Sequence, residues 1–481
     1  MNIAITYDNL VAHLEPDLPQ DMLISLSQQL RYHKDGYQYV YNYKSGRSDG
    51  WTYLLQPNQC FRRGLLNRVV KFLTKNGHTV TTQYIGKEPP LLIHSLNSNL
   101  IRPYTFQQEM AQAAYDNQIG ILVSPTGTGK TITLALSVDK LKRKTFIFVT
   151  DIVLMDQMHQ SMQRLFEEPI GMIGDGEFDL QDITVSTIQS LLSIQKAKTL
   201  GAADKRIKLV KHLETIGLVA FDEVHQSDID TMDIIIPLFK NADRFIGLSA
   251  TPAGWAEKSE KKDNFGVEQH FGSVIYDARK NDFIELGLKV PIYVQTIERE
   301  PINKIYNKYS KYNRFTHKEE LDLTKCYKDA LDTELLNNSQ YHEDVAKYAI
   351  GLMDKGNSVF VHATHSIEFG KLIQERIPGS VLINGSTPRL ERRNAYDAVR
   401  KKELLCIVSD IGGTGLDLPN LNAFILASDI VDIRQLVGRV SRKAEGKDFG
   451  LVVDFYTNCS FLRKHYETRL AQYKHENYLV L

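Results

Sequence analysis

At 481 residues the chain is too long for one ordinary hydrophobic core, and about 150 residues per domain gives roughly three domains. Lysine plus arginine and aspartate plus glutamate each total 58, so global charge neither marks nor excludes a nucleic-acid partner. The four cysteines, Cys60, Cys326, Cys406 and Cys459, form no C-x-x-C pair, which argues against a zinc site or a disulfide framework, and no stretch reaches the roughly 18 apolar residues of a membrane span.

In chain order, residues 1–95 read as a small α+β unit. A helix is expected at 20–31, a strand at 37–43 from the alternation of Tyr37, Tyr39, Tyr41 and Tyr43, a second strand at 51–55, and a basic helix at 61–75. One face of the aromatic strands would pack a core and the other would lie open to unpaired bases. Arg62, Arg63 and Arg68 stand off the apolar side of the basic helix, where they are offered to phosphate. The polar stretch 87–99, with Pro89 and Pro90, reads as a linker. Residues 96–275 alternate apolar runs at 119–123, 145–149, 183–185, 217–221 and 244–248 with helical stretches, which predicts a parallel sheet covered by helices. The same rhythm returns in 276–481, at 358–361, 380–383, 404–408, 423–426 and 450–453. The chain is therefore α/β, with two tandem parallel-sheet domains after a small N-terminal α+β unit. Within the second of these domains, residues 300–340 are rich in Lys, Tyr and Asn and read as helical, with no assigned chemistry.

The chemistry concentrates in the first α/β domain. Ser124-Pro125-Thr126-Gly127-Thr128-Gly129-Lys130-Thr131 follows an expected strand and opens an expected helix. Strand, glycine-rich loop and helix N-terminus in that order make a phosphate cradle. Backbone N–H groups of Gly127, Thr128 and Gly129 face the anion, Lys130 reaches the β- and γ-phosphates, and the Thr131 hydroxyl is placed for Mg²⁺. Further on, Asp222 and Glu223 end a buried strand run, where carboxylates face the ligand crevice of an open α/β sheet. Asp222 suits the Mg²⁺ shell, and Glu223 suits a water-orienting role.

With Asp222-Glu223-Val224-His225 and Ser249-Ala250-Thr251 in sequence, the chain resembles the DExH helicases of superfamily 2. Thr414-Gly415-Leu416-Asp417 is similar to that family's fifth motif, and 435–442, which holds Gln435, Arg439 and Arg442, to its sixth. The resemblance implies two RecA-like domains that clamp ATP and Mg²⁺. It implies His225, Ser249 and Thr251 as coupling residues, Gly415, Asp417 and Gln435 at the nucleotide or interdomain network, and Arg442 as arginine finger with Arg439 the second candidate. Upstream, Gln107, or alternatively Gln108, matches the adenine-reading glutamine. Thr187, Thr364 and Thr414 fall where the family contacts the backbone of a tracked strand. Gly46, Gly50 and Trp51, followed by Phe61-Arg62-Arg63-Gly64, resemble the accessory domain of UvsW-like phage helicases. The likeness implies an ATP-dependent DNA helicase or translocase acting on forks, four-way junctions and branch migration. It would be monomeric or weakly associating, without a membrane, and in the cytoplasm, that of the host if a phage encodes it. Two other readings stay open: an RNA or RNA–DNA hybrid helicase, and a nucleic-acid-triggered ATPase switch that recruits partners without unwinding.

Overall fold

A computed structural model describes residues 1–34, 37, 41–196, 200–227, 229–250, 265–303, 306, 308–313, 318–409, 418 and 420–481. It divides into two compact units, Met1–Pro125 with Gly129–Asn281 and Thr126–Thr128 with Asp282–Leu481.

Six strands open the first unit: β1 (Asn2–Tyr7), β2 (Val11–Glu15), β3 (Arg31–His33), β4 (Trp51–Tyr53), β5 (Cys60–Arg62) and β6 (Thr79–Tyr84). Four form a sheet in the order β5-β2-β1-β6, and β3 and β4 pair as a separate antiparallel ribbon. Period-2 burial turns Ile3 and Ile5 of β1 and Ala12 and Leu14 of β2 inward, against Val69 and Leu73 of the helix Leu66–Lys75 and Leu26 of the helix Gln20–Gln29. Phe265, from far along the chain, completes this core.

Two expectations change here. Tyr41–Lys44 form a helical turn where a strand is expected, and Tyr43 meets Tyr37, which stacks on His33 of β3, so these two rings do not alternate across a sheet. The basic segment begins as β5 and a 3-10 turn, Arg63–Leu65, before the helix Leu66–Lys75 starts.

The remainder of the first unit is built on β7 (Ile119–Val123), β8 (Thr145–Val149), β9 (Ile170–Gly174), β10 (Glu177–Phe178), β11 (Ile183–Thr187), β12 (Leu218–Phe221), β13 (Arg244–Ser249) and β14 (Val274–Asp277). Their order is β10-β9-β11-β8-β12-β13-β7-β14, with every pairing parallel except β9–β10. The central strands are buried along their length, as their continuous apolar runs require once helices cover both faces.

The second unit repeats the plan. Its strands are β15 (Ile292–Arg299), β16 (Ser310–Asn313), β17 (Lys318–Leu321), β18 (Val359–His362), β19 (Val381–Ile383), β20 (Cys406–Ser409), β21 (Ala423–Leu426), β22 (Gly450–Thr457) and β23 (Leu479–Val480). Seven of them form an all-parallel sheet, β19-β20-β18-β21-β22-β15-β23. Within 300–340, expected to be helical throughout, β16 and β17 make an antiparallel hairpin before the helix Leu323–Leu331. Two helix-covered parallel sheets in one chain are the tandem RecA-like architecture. Among the described residues no helix is long and apolar enough to cross a membrane.

Candidate nucleotide site

Strand order sets this site. β12, β13 and β7 are neighbours at the centre of the first RecA-like sheet, so the loop after β7 and the carboxylates after β12 emerge at the same edge, about 10 Å apart across β13. Ser124 N–H donates to the Ser249 carbonyl at 2.9 Å, which ties the first loop residue to β13. Gly127 and Gly129 hold φ values of +80° and +85°, which glycine adopts without a Cβ penalty. Gly129 then caps the helix Lys130–Leu141, whose N-terminal amides and dipole suit a phosphate.

Lys130 spans the gap between loop and carboxylates, and its ammonium pairs with Glu223. Glu223 sits in the left-handed region, φ 52° and ψ 46°, a rare backbone state for a side-chain-bearing residue and one that collects at functional sites. Its second oxygen, Oε2, accepts from Ala250 N–H at 3.4 Å and lies 3.6 Å from His225 Nδ1. The same Nδ1 is 2.8 Å from Ser249 Oγ. One polar chain therefore runs from the phosphate loop through Lys130, Glu223 and His225 to Ser249. Burial would raise the Glu223 carboxyl, but the charge and hydrogen bond of Lys130 outweigh it and hold the group below the usual range. For Asp222 burial wins over Lys130, and the carboxyl is pushed up to about 6. The two adjacent acids thus differ: Glu223 is ionised against Lys130, and Asp222 is a buried carboxyl that a cation would keep ionised.

Gln107 is buried beside this loop. Its Oε1 accepts from Tyr104 N–H at 3.0 Å, closing a capping box on the helix Thr105–Asp116, and its Nε2 donates to the Gly129 carbonyl at 3.5 Å. Gln108 is exposed. In the second unit Arg439 lies in the last turn of the helix Arg434–Val440, and Arg442 N–H donates back to the Arg439 carbonyl at 3.3 Å. The segment is pinned where Val290 N–H meets the Ser441 carbonyl at 2.7 Å and Lys289 pairs with Arg442 in an isolated bridge. Thr364 follows β18, half-buried, with its N–H on Ser428 Oγ at 2.6 Å. Thr187 is buried, with its hydroxyl 2.8 Å from Ser190 Oγ and accepting from Ser190 N–H at 3.1 Å. Thr251, Thr414, Gly415, Asp417 and the side chain of Gln435 lie outside the described residues.

The basic segment departs most from expectation. Arg63 is only 3% exposed; its guanidinium lies over Tyr7 and Tyr84, donates to the Asp243 carbonyl at 3.4 Å, and bonds Gln118. Arg68 makes a two-pronged pair with Glu268, at 3.0 and 2.6 Å, and stacks over Phe265. Arg62 is 3.8 Å from Asp233. These arginines fasten the N-terminal sheet to the RecA-like sheet within one unit, which withdraws Arg63 from any phosphate and directs Arg62 and Arg68 to carboxylates. Gly64 permits the contact, since a Cβ there would strike the carbonyl oxygens of Glu268 and Gln269. Sequence reasoning missed Asp233, Asp243 and Glu268 as the acceptors, and no local pattern marks them.

Comparison with known proteins agrees with this arrangement. Residues 100–254 match the family described as the res subunit of type III restriction enzymes. The chain is 24% identical over 503 residues to the ATP-dependent DNA helicase uvsW of Enterobacteria phage T4, covering 98% of this chain and 93% of that protein. It is 26% identical over 376 residues to the DNA 3'-5' translocase XPB2 of Sulfurisphaera tokodaii, covering 71% and 78%. In fold it is similar to the DUF1998 helicase MrfA bound to DNA, with a TM-score of 0.53 at 15% identity over 80% of this chain and 52% of that one. Relatives named for DNA helicase and DNA translocase activity thus align with 71% to 98% of this chain, which makes it similar to the superfamily 2 helicases.

Proposed function

We propose that the chain is an ATP-dependent DNA helicase or translocase that remodels branched DNA. The observation that carries this reading is the polar chain Lys130–Glu223–His225–Ser249, because it links the group that holds the triphosphate to the segment that the family uses for coupling. Lys130 and the loop amides bind the phosphates, and Glu223 takes the position from which a carboxylate orients the attacking water. Thr131 and Asp222 would hold Mg²⁺, which neutralises charge on the phosphates; the buried, cation-seeking Asp222 carboxyl fits that role. Arg442, with Arg439 in reserve, is the candidate for stabilising the charge that spreads over the transferred phosphoryl oxygens. Thr364 and Thr414 remain candidates for sequence-independent phosphate contacts. The relatives named for DNA unwinding and DNA translocation support DNA as the substrate, and the likeness of the N-terminal unit to UvsW-like accessory domains supports a branched one.

Lys130→Ala removes the cation from the phosphate site, and Glu223→Gln keeps shape while removing the water-orienting charge. Both should abolish DNA-stimulated ATP hydrolysis, and Glu223→Gln should retain ATP binding in an equilibrium assay. Near-parental turnover by either purified variant would contradict the assignment.

A further inference from the structure

With Arg62, Arg63 and Arg68 engaged inside the protein, the N-terminal sheet region still presents an aromatic and cationic surface among its described residues. It is the β3–β4 ribbon. Register pairs Arg31 with Tyr53 and His33 with Trp51 on one face, and Tyr32 with Thr52 on the other. Tyr32 turns inward, stacked on Phe265 of the core. The opposite face is a column of π surfaces: His33 lies between Tyr37 at 3.9 Å and Trp51 at 3.6 Å, and the Arg31 guanidinium sits 4.2 Å over Trp51. Tyr43 meets Tyr37 edge-on at 4.9 Å.

The column is built into the backbone. His33 Nδ1 is fixed on the Gly50 carbonyl at 2.9 Å, and a Cβ at Gly50 would stand 2.5 Å from the Tyr37 ring. Around it the rings stay wet. Five tyrosines are exposed among the described residues, and three of them, Tyr41, Tyr43 and Tyr53, are here; Tyr41 is 68% exposed with Arg47 over its ring at 5.6 Å. Asp49 lies in the patch, where it accepts from the Tyr53 hydroxyl at 2.6 Å and its charge sits near Arg31.

Exposed tyrosine rings beside the cations Arg31 and Arg47 suit a partner that carries both flat rings and anionic groups. We infer that the β3–β4 face is a stacking site for the unpaired bases of a DNA strand, which places branch recognition on this ribbon and away from the basic helix. Bases stack on tyrosine and histidine faces without regard to sequence, and arginines meet the backbone between them. The inference rests on the DNA-remodelling reading above.

The test uses the full chain and a synthetic fork with single-stranded arms, beside a blunt duplex of the same length. The intrinsic fluorescence of the parent should be quenched by the fork and not by the duplex. The quenching should vanish in Trp51→Phe, which leaves the chain's other tryptophan, Trp255, in place. A Tyr41→Ser/Tyr43→Ser double variant, altered only at exposed rings, should bind the fork about tenfold more weakly or worse. ATP hydrolysis by the parent on the same fork is measured alongside. Fork-stimulated hydrolysis with no Trp51-dependent quenching and parental affinity in the double variant overturns the stacking site alone. A fork that neither stimulates hydrolysis nor quenches overturns the DNA-remodelling reading with it. Quenching by fork and blunt duplex alike shows that the face does not select unpaired bases, and this also overturns the inference.

Discussion

Lys130 and Glu223 were legible because their chemistry is local. A glycine-rich loop after an apolar run, and paired acids at the end of another, each mark a candidate within ten residues, and the fold brings the two candidates together. Arg63 was not legible. Its acceptors Gln118 and Asp243 are 55 and 180 residues away in the chain, and the Glu268 partner of Arg68 is 200 away, so a cation on a helix pattern gives no sign of whether it faces solvent or an acid. Ser249→Ala removes the hydroxyl 2.8 Å from His225 and should leave ATP turnover within a few-fold of the parent while strand displacement falls by about tenfold or more, because the bond links hydrolysis to the coupling segment. Parallel ATPase and unwinding assays check it; equal losses in both would make Ser249 a part of the hydrolytic site only. Arg442→Ala should lower DNA-stimulated hydrolysis by about 10³-fold or more, with a much smaller change in ATP affinity, if Arg442 is the finger. Parental turnover would transfer the role to Arg439.

Among the elements, the buried strands were the readable ones. Continuous apolar runs such as those of β8 and β12 declare burial on both faces, whereas β9 is interrupted by Gly171 and Gly174, and β15 mixes Tyr293, Gln295 and Glu298 into its run, so neither stood out. Glycine at 171 has a packing reason, as a Cβ there would stand 2.6 Å from the Asp179 carbonyl oxygen, but that reason is visible only once β9 is folded against its neighbour. The joint between the N-terminal sheet and the helix Phe265–Phe271 is a second element-scale feature, and it makes its own prediction. Gly64→Ala should destabilise the chain by about 1–3 kcal/mol, because neither carbonyl it meets can move aside without shifting the helix. Arg68→Glu should cost about 1 kcal/mol, discounted for the partly exposed arginine, and adding Glu268→Arg should recover most of that loss. Urea denaturation of the single and double variants reads both effects. A double variant no better than the sum of the singles would mean that the pair does not hold the joint.

For the whole molecule, the two helix-covered parallel sheets emerged from hydrophobic rhythm, while the inward use of the basic segment and the ribbon's aromatic face required the fold. Global stability carries a titration signature as well. Burial, with the charges of His365 and Arg439, pushes the His362 imidazole down to about 3, and burial with Lys144 nearby pushes His212 down to about 4. Folded pKa values below the ordinary 6.5 mean that the unfolded chain binds more protons, so stability complete above about pH 6.5 is lost progressively as pH falls toward those values. Thermal midpoints should therefore decline between about pH 6.5 and about pH 4.5, before most carboxylates titrate, and the decline should be shallower in His362→Gln. A flat profile over that interval would contradict the buried neutral imidazoles. The central claim, ATP-driven remodelling of branched DNA, is tested most directly by strand displacement and branch movement with the purified chain on a fork and a four-way junction, beside a blunt DNA duplex, an RNA duplex and an RNA–DNA hybrid. The predicted result is ATP-dependent product from the fork and the junction, little from the other three, and none from Lys130→Ala. ATP hydrolysis stimulated by DNA without product from either branched substrate, or preferential opening of the RNA duplex or the hybrid, would contradict the account.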